Sequence, residues 1–432
     1  MNRNTFWGTF ALFLLLILAG LVSREEASST AKLAKGIAFS KDEPIAAKKS
    51  KLIVSQTEAS TSQLVDANNR FGFELFARLW ESSESQNVFI SPQSVAIALA
   101  MTRNGTKGET LTEINNTLGL EEYDPATIDR SYGKLIETLT TANKGVQLAI
   151  ANSLWVNEDI ELKDKFIDTT QRYYRSIADN IDFAEPTAKK IINNWVASNT
   201  AHKIPQIVDT ISPEDALYLI NAVYFKGSWT KKFEPNRTKP QPFSLTSGTT
   251  KPVAMMSQNG DYRYYENAQF QAIRIPYGSQ AELGMYVFLP RPDSSLEQFN
   301  QQLNPVNWQE WLSQMRSQPV NLTLPKFKLE YDTELKDVLS AMGIKQVFSL
   351  SKADFSAITD SEVTIDTIKH KAVVEVNEEG TEAAGVTSIG IRITSAVPQN
   401  EPYNMNIDRP FFFAIRDDIT ETILFMGNVA EP

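Results

Sequence analysis

Apolar residues recur at spacings of three and four from Phe71 through Leu75, Phe76, Leu79 and Trp80, and the polar run 81–87 then breaks the pattern, which predicts a helix ending there. Ser91-Pro92 opens a second helix, with Ser91 as its cap and Pro92 in the first turn. Val95, Ile97, Leu99 and Met101 make that helix apolar nearly all round, so it is expected to be buried. The turn 104–110 leads to a third helix with Leu111, Ile114 and Leu118 on one side. Helical patterns also occupy 163–178 and 189–202, and strand-like runs fall at 148–156, 217–225, 283–289 and 320–324. Helices and strands mix without strict alternation, which predicts an α+β fold with largely antiparallel sheets. No internal repeat of fixed period occurs, and no low-complexity tract follows residue 60.

The segment Glu378-Glu379-Gly380-Thr381-Glu382-Ala383-Ala384-Gly385-Val386-Thr387 has the alternation of a strand but side chains too small and polar to hold one unaided. From 381 the odd positions run Thr381, Ala383, Gly385, Thr387, Ile389, Ile391, Ile393 and carry no charge. Glu382 and Arg392 both fall on the even face. One face suits burial and the other suits water. Turn-formers follow over 394–402, the signature of an exposed loop. The segment reads as a strand held out of a sheet, and equally as an edge strand followed by a long connection.

The chain has 432 residues, enough for one large core or two smaller ones. Its formal net charge of -10 and lack of a basic stripe argue against a nucleic-acid partner. With no cysteine there is no disulfide framework and no thiolate chemistry. Arg3 precedes the apolar run 6–22, after which the chain turns polar, the layout of a secretory signal; an uncleaved anchor is the alternative. Either way the chain downstream is expected across the membrane, extracellular or periplasmic. Residues 1–23 are therefore assigned to a signal or anchor and 24–60 to a flexible polar tether, with folding beginning near Thr61.

Catalytic constellations are thin. The two histidines, His202 and His370, would have to serve any hydrolase triad, and no Gly-x-Ser-x-Gly elbow presents a nucleophile. His202 sits at a helix end, where the helix dipole suits it, and His370 lies between two strand patterns as a hydrogen-bonding residue. Two distant histidines make a poor start for a metal site, and no glycine pattern cradles phosphates, so neither metal nor cofactor is expected. Asn-x-Ser/Thr sequons stand at Asn104, Asn115, Asn236 and Asn321.

From about Thr61 to Pro432 the residues resemble the serpins, the serine protease inhibitor family. The resemblance rests on Asn87-Val88-Phe89-Ile90-Ser91-Pro92-Gln93-Ser94, on Asn104-Gly105-Thr106-Lys107-Gly108-Glu109-Thr110 and on Asn221-Ala222-Val223-Tyr224-Phe225-Lys226-Gly227-Ser228-Trp229. Ala353-Asp354-Phe355-Ser356, His370-Lys371-Ala372, the hinge from Glu378 to Thr387 and the C-terminal run Met405-Asn406-Ile407-Asp408-Arg409-Pro410-Phe411-Phe412-Phe413-Ala414-Ile415 complete it, closed by Phe425-Met426-Gly427-Asn428-Val429. Val386 stands where the family prefers alanine, and His202 replaces a smaller residue before Lys203.

The resemblance implies three mainly antiparallel sheets, eight or nine helices and an exposed reactive loop at about 378–402. It implies a suicide substrate: a protease cuts the loop, is held as an acyl-enzyme and is carried roughly 45 Å as the loop inserts into the main sheet. A distorted oxyanion hole would then stall deacylation. It also assigns Ser91, Asn221 and His370 to a polar cluster where the sheet opens, and Trp229 to the point of hinge entry. Both assignments are compatible with plain core packing. Counting along the hinge puts the scissile bond at Thr394-Ser395, suited to elastase-like or subtilisin-like proteases with a small or apolar primary pocket; Arg392 is the alternative, suited to trypsin-like ones. A monomer is expected. A non-inhibitory serpin acting as carrier or chaperone shares the fold, but usually has bulky, charged or proline residues on the inserting face of its hinge.

Overall fold

The computed structural model describes residues 45–83, 86–141, 145–381 and 401–432, with side chains from residue 60 onward. The chain divides into two compact units, Met1–Ile53 and Val54–Pro432, and the site lies in the second. Nine α-helices occur among the described residues: α1 (Ile45–Glu81), α2 (Pro92–Arg103), α3 (Gly108–Leu118), α4 (Pro125–Thr140), α5 (Asp164–Tyr174), α6 (Ala188–Asn199), α7 (Leu296–Asn300), α8 (Pro305–Gln314) and α9 (Lys336–Ala341). The early turns of α1 fall in the stretch assigned to the tether, whose Ala, Lys, Gln and Glu are good helix formers. The strands are β1 (Val88–Ile90), β2 (Val146–Asn157), β3 (Ile177–Ile181), β4 (Leu217–Ser228), β5 (Lys239–Ser244), β6 (Thr250–Glu266), β7 (Phe270–Tyr277), β8 (Leu283–Pro290), β9 (Arg316–Pro325), β10 (Phe327–Glu334), β11 (Ile365–Asn377), β12 (Gly380–Thr381), β13 (Tyr403–Asn406), β14 (Phe411–Asp417) and β15 (Ile423–Val429).

These strands form two hydrogen-bonded sheets where three were expected. One follows the order β1-β15-β14-β8-β7-β6-β9-β13, with β5 beside β6; the other follows β10-β11-β12-β4-β2-β3. The reason lies in β6, which is 17 residues long and pairs with β5 at its start, β7 at its end and β9 along its middle. A single strand thereby joins what would otherwise be two sheets. Among the described residues, parallel pairing is confined to β4 with β11, β2 with β3 and β9 with β13.

Every residue of α2 is buried, as its all-round apolar pattern predicts. It packs on β2 and β4 of the six-stranded sheet and on β15 of the other, so it touches both sheets. β4 is buried on both faces: Leu217 and Leu219 join the core around α2, while Tyr218, Ile220 and Ala222 pack with Ile192 and Val196 of α6. Higher on the strand, Val223 and Phe225 join a second core with Trp229 and Tyr277.

The boundaries differ from expectation in identifiable ways. The helical pattern 163–178 stops at Tyr174, because Arg175 takes φ 50° and the chain re-enters a sheet as β3. The pattern 189–202 stops at Asn199; Ala201 and His202 take left-handed φ of 50° and 59°, and the His202 N–H donates to Ala197 O at 2.7 Å. His202 therefore closes α6 through its backbone. Ser91 does stand at the N-cap of α2, but its hydroxyl donates to Leu424 O at 2.7 Å instead of capping the helix. The two strand patterns flanking His370 are one strand, β11.

Candidate functional site

β4 and β11 pair in parallel from Leu217 with Ile365 to Tyr224 with Val373, and beyond that point they part. The chain leaving β11 turns at Glu378 and Glu379 and returns as β12. Gly380 and Thr381 pair antiparallel with Asn377 and Val376 on one side, and with Ser228 and Gly227 on the other. The root of the loop is already a two-residue strand wedged into the mouth of the sheet.

Local chemistry makes this turn. The Asn377 side-chain oxygen accepts the Glu379 N–H at 3.0 Å, a bond that bends the backbone at once. Gly380 then takes φ 148°, and a Cβ there would lie 2.0 Å from Gly227 O, so only glycine fits. Thr381 is fully buried, its hydroxyl 2.7 Å from that of Tyr277. Burial pushes the Tyr277 phenol well above its ordinary range, against the opposing pull of the Thr381 bond, so the ring stays neutral.

Trp229 holds the same place from the β4 side. Its ring stacks on Tyr277 with centroids 4.3 Å apart, its Nε1 donates to Asn377 O at 2.9 Å and its backbone N–H donates to Glu379 O at 2.9 Å. The Phe233 N–H donates to Glu378 O. Outside this frame the two glutamates are clamped: Glu378 by Lys326 and the Thr238 hydroxyl, each at 2.8 Å, and Glu379 by an ion pair with Lys232. Burial opposes the Glu378 charge, but the Lys326, backbone and Thr238 bonds outweigh it and hold the carboxyl below its usual range.

Below the mouth, where β4 and β11 still pair, His370 and Asn221 sit opposite each other. The Ser91 N–H donates to His370 Nε2 at 3.2 Å, so Nε2 is the acceptor and Nδ1 carries the proton that goes to Asn221 Oδ1 at 2.5 Å. Complete burial drives the His370 pKa down to about 3 and keeps the ring neutral. Asn221 Oδ1 also accepts the Ser94 hydroxyl at 2.9 Å, and its amide donates to Asn152 Oδ1. The three residues singled out in the sequence thus meet in one network. It bridges β4, β11 and the start of α2.

Glu382, Ala383, Ala384, Gly385, Val386, Thr387, Arg392, Thr394 and Ser395 lie outside the described residues. Tyr277, Lys326, Thr238, Lys232, Ser94 and Asn152 were missed by sequence reasoning, since nothing local marks them: Tyr277 and Thr381 are 104 residues apart. Of the sequons, Asn104 and Asn115 are engaged internally, by Asp129 and Arg103 respectively, Asn321 donates to Asn404, and Asn236 is exposed in a short turn. No helix among the described residues is long and apolar enough to cross a membrane, and the run 6–22 lies outside them.

A main sheet parted at one end by the root of its own loop, over a buried Ser-Asn-His network, defines a class of protein. The family model for serpins (serine protease inhibitors) matches residues 66–432, and the chain belongs to that family. The horse (Equus caballus) leukocyte elastase inhibitor is 34% identical, covering 86% of this chain and 100% of that one; human serpin B4 has the same figures. Among solved structures, native tengpin, a thermophilic serpin, aligns with TM-score 0.78 at 29% identity over 86% of this chain and 94% of its own. Human thyroxine-binding globulin, solved with its ligand, aligns with TM-score 0.80 at 27% identity over 86% and 99%. The family is one of protease inhibitors rather than catalysts, and it also contains binding proteins.

Proposed function

We propose that this chain is a single-use inhibitor of serine endopeptidases, which traps the acyl-enzyme by inserting its cleaved loop between β4 and β11. The observation that carries the reading is β12, which pairs with both strands where they separate. Continued in the same register, Ala383 would come opposite Phe225 and Val374, and Gly385 opposite Val223 and Ala372. Thr387 would reach Asn221 and His370, where a hydroxyl can replace the bond that insertion must break. Ile389 and Ile391 would meet Leu219 and Leu217 of the core. Small residues thus fall beside Phe225, Val374 and Val223, a hydroxyl matches the polar network, and apolar residues match the apolar end.

The same register bears on the scissile bond. β4 begins at Leu217, so pairing would end at Ile391 and leave Thr394 three residues clear for a tethered protease. A cut after Arg392 would leave only one. This favours Thr394-Ser395 and a protease with a small or apolar pocket, elastase-like or subtilisin-like. Inhibition is assigned to a monomeric domain from about Thr61 onward, exported through residues 1–23 or anchored by 6–22.

The test is to mix intact protein with elastase-like and subtilisin-like proteases, run the products under denaturing conditions and weigh the released C-terminal fragment. A denaturant-resistant adduct with a fragment beginning at Ser395 is expected. Complete cleavage with no adduct at all would sink the inhibitor reading and leave that of a carrier.

A further inference from the structure

Arg103, the last residue of α2, is 4% exposed, yet the one hydrogen bond of its side chain among the described residues runs from Nε to Asn115 Oδ1 at 2.5 Å. It makes no ion pair with a described carboxylate, and no nitrogen of its guanidinium is sealed from solvent without a partner, as expected of a group that opens onto a cavity. The side chain lines a cavity of about 330 Å³ among α2, α4 and α5. Lys165, exposed at the rim on α5 and likewise in no ion pair among the described residues, adds a second positive charge; the Thr106 and Thr169 hydroxyls also line the space but already donate to Arg103 O and Lys165 O. One acid, Asp129, faces the same space, but one of its oxygens already accepts Asn104 Nδ2 at 2.9 Å and the Tyr174 hydroxyl at 2.7 Å. Two cations therefore stand against one carboxylate, which leaves the space with a net positive charge. The first turn of α4 contributes little, because Asp124 already accepts the Thr127 N–H.

We propose that this cavity binds a small oxyanion, the carboxylate or phosphate group of a small metabolite, held by the guanidinium fork of Arg103 and closed over by Lys165. Its volume sits at the low end of ligand pockets, about 300–1,000 Å³, which suits a compact ligand and not a polymer chain. An anion there supplies the partner that Arg103 lacks and would stabilise the folded chain by mass action. The site is independent of the loop and its insertion.

Isothermal titration of the full chain with inorganic phosphate, and separately with succinate, at ionic strength matched with chloride, tests the assignment and separates the two sources. One saturable site for at least one of the anions is expected. Lys165→Gln, at the surface and neutral to folding, should weaken it about tenfold to a hundredfold. Arg103→Lys, which keeps the charge and loses the fork, should weaken it at least as much. Absence of saturable binding for both anions, or wild-type affinity in Lys165→Gln, overturns the proposal. If Arg103→Lys fails to fold, Lys165→Gln decides alone.

Discussion

Gly380 has no room for a side chain: its φ of 148° and the carbonyl oxygen of Gly227 both forbid a Cβ. Gly380→Ala is expected to expel β12 and release the hinge from the stacked Trp229 and Tyr277. A shifted, more quenchable tryptophan emission would report it, and an unchanged Trp229 signal would contradict it. His370 is read through pH. Its folded pKa of about 3 lies below the ordinary 6.5, so its contribution is complete above pH 6.5 and is lost as pH falls toward 3. The loss should reach several kcal/mol at order of magnitude. His370→Gln should be less stable at neutral pH but flatter between pH 6.5 and 4, measured as Tm against pH beside the wild type; parallel curves would remove His370 as the cause. The residues of this network were legible in the sequence only through their family motifs, since Ser91, Asn221 and His370 lie up to 279 positions apart and no spacing rule links them.

Elements with one strong period were readable from the chain. α2 and the central β4 appear where their apolar patterns place them, because both are buried on every side. α4, β6 and β10 were not anticipated: β10 alternates well but is half exposed, and β6 mixes Gln, Asn and Gly into a strand shared by several partners. β12 was legible as strand-like alternation, whereas its pairing depends on the separation of β4 and β11, which no local pattern encodes. At this scale the decisive test is the strand's second residue. Thr381→Arg must place a guanidinium where a fully buried hydroxyl meets Tyr277, so entry should fail and the protein should turn from inhibitor to substrate. The readout is the number of inhibitor molecules cut per protease trapped, expected to rise by about tenfold or more for a penalty above 1.4 kcal/mol; an unchanged ratio would count against insertion.

For the whole molecule, the prediction concerns stored energy. β4 and β11 are joined directly over most of their length, yet each has backbone that a new strand between them would pair more fully. About a dozen added hydrogen bonds at roughly 1 kcal/mol each, with Ile389 and Ile391 buried, favour the inserted form. A sample nicked in the loop should therefore melt well above the intact one in a scanning calorimeter. Equal melting would leave the trap without a driving force. The α+β class was readable from the mixture of elements, while the number of sheets was not, because one long strand decides it.

The hairpin at Asn377–Thr381 has one more effect. Exposed backbone at an unfilled sheet is an invitation to neighbouring copies. Here the entrance is occupied by the protein's own chain and fastened by Lys326, Thr238 and Lys232, so a foreign segment has nowhere to start at that end. Crowded molecules are kept from threading one another by the same few residues that stand ready for the bait.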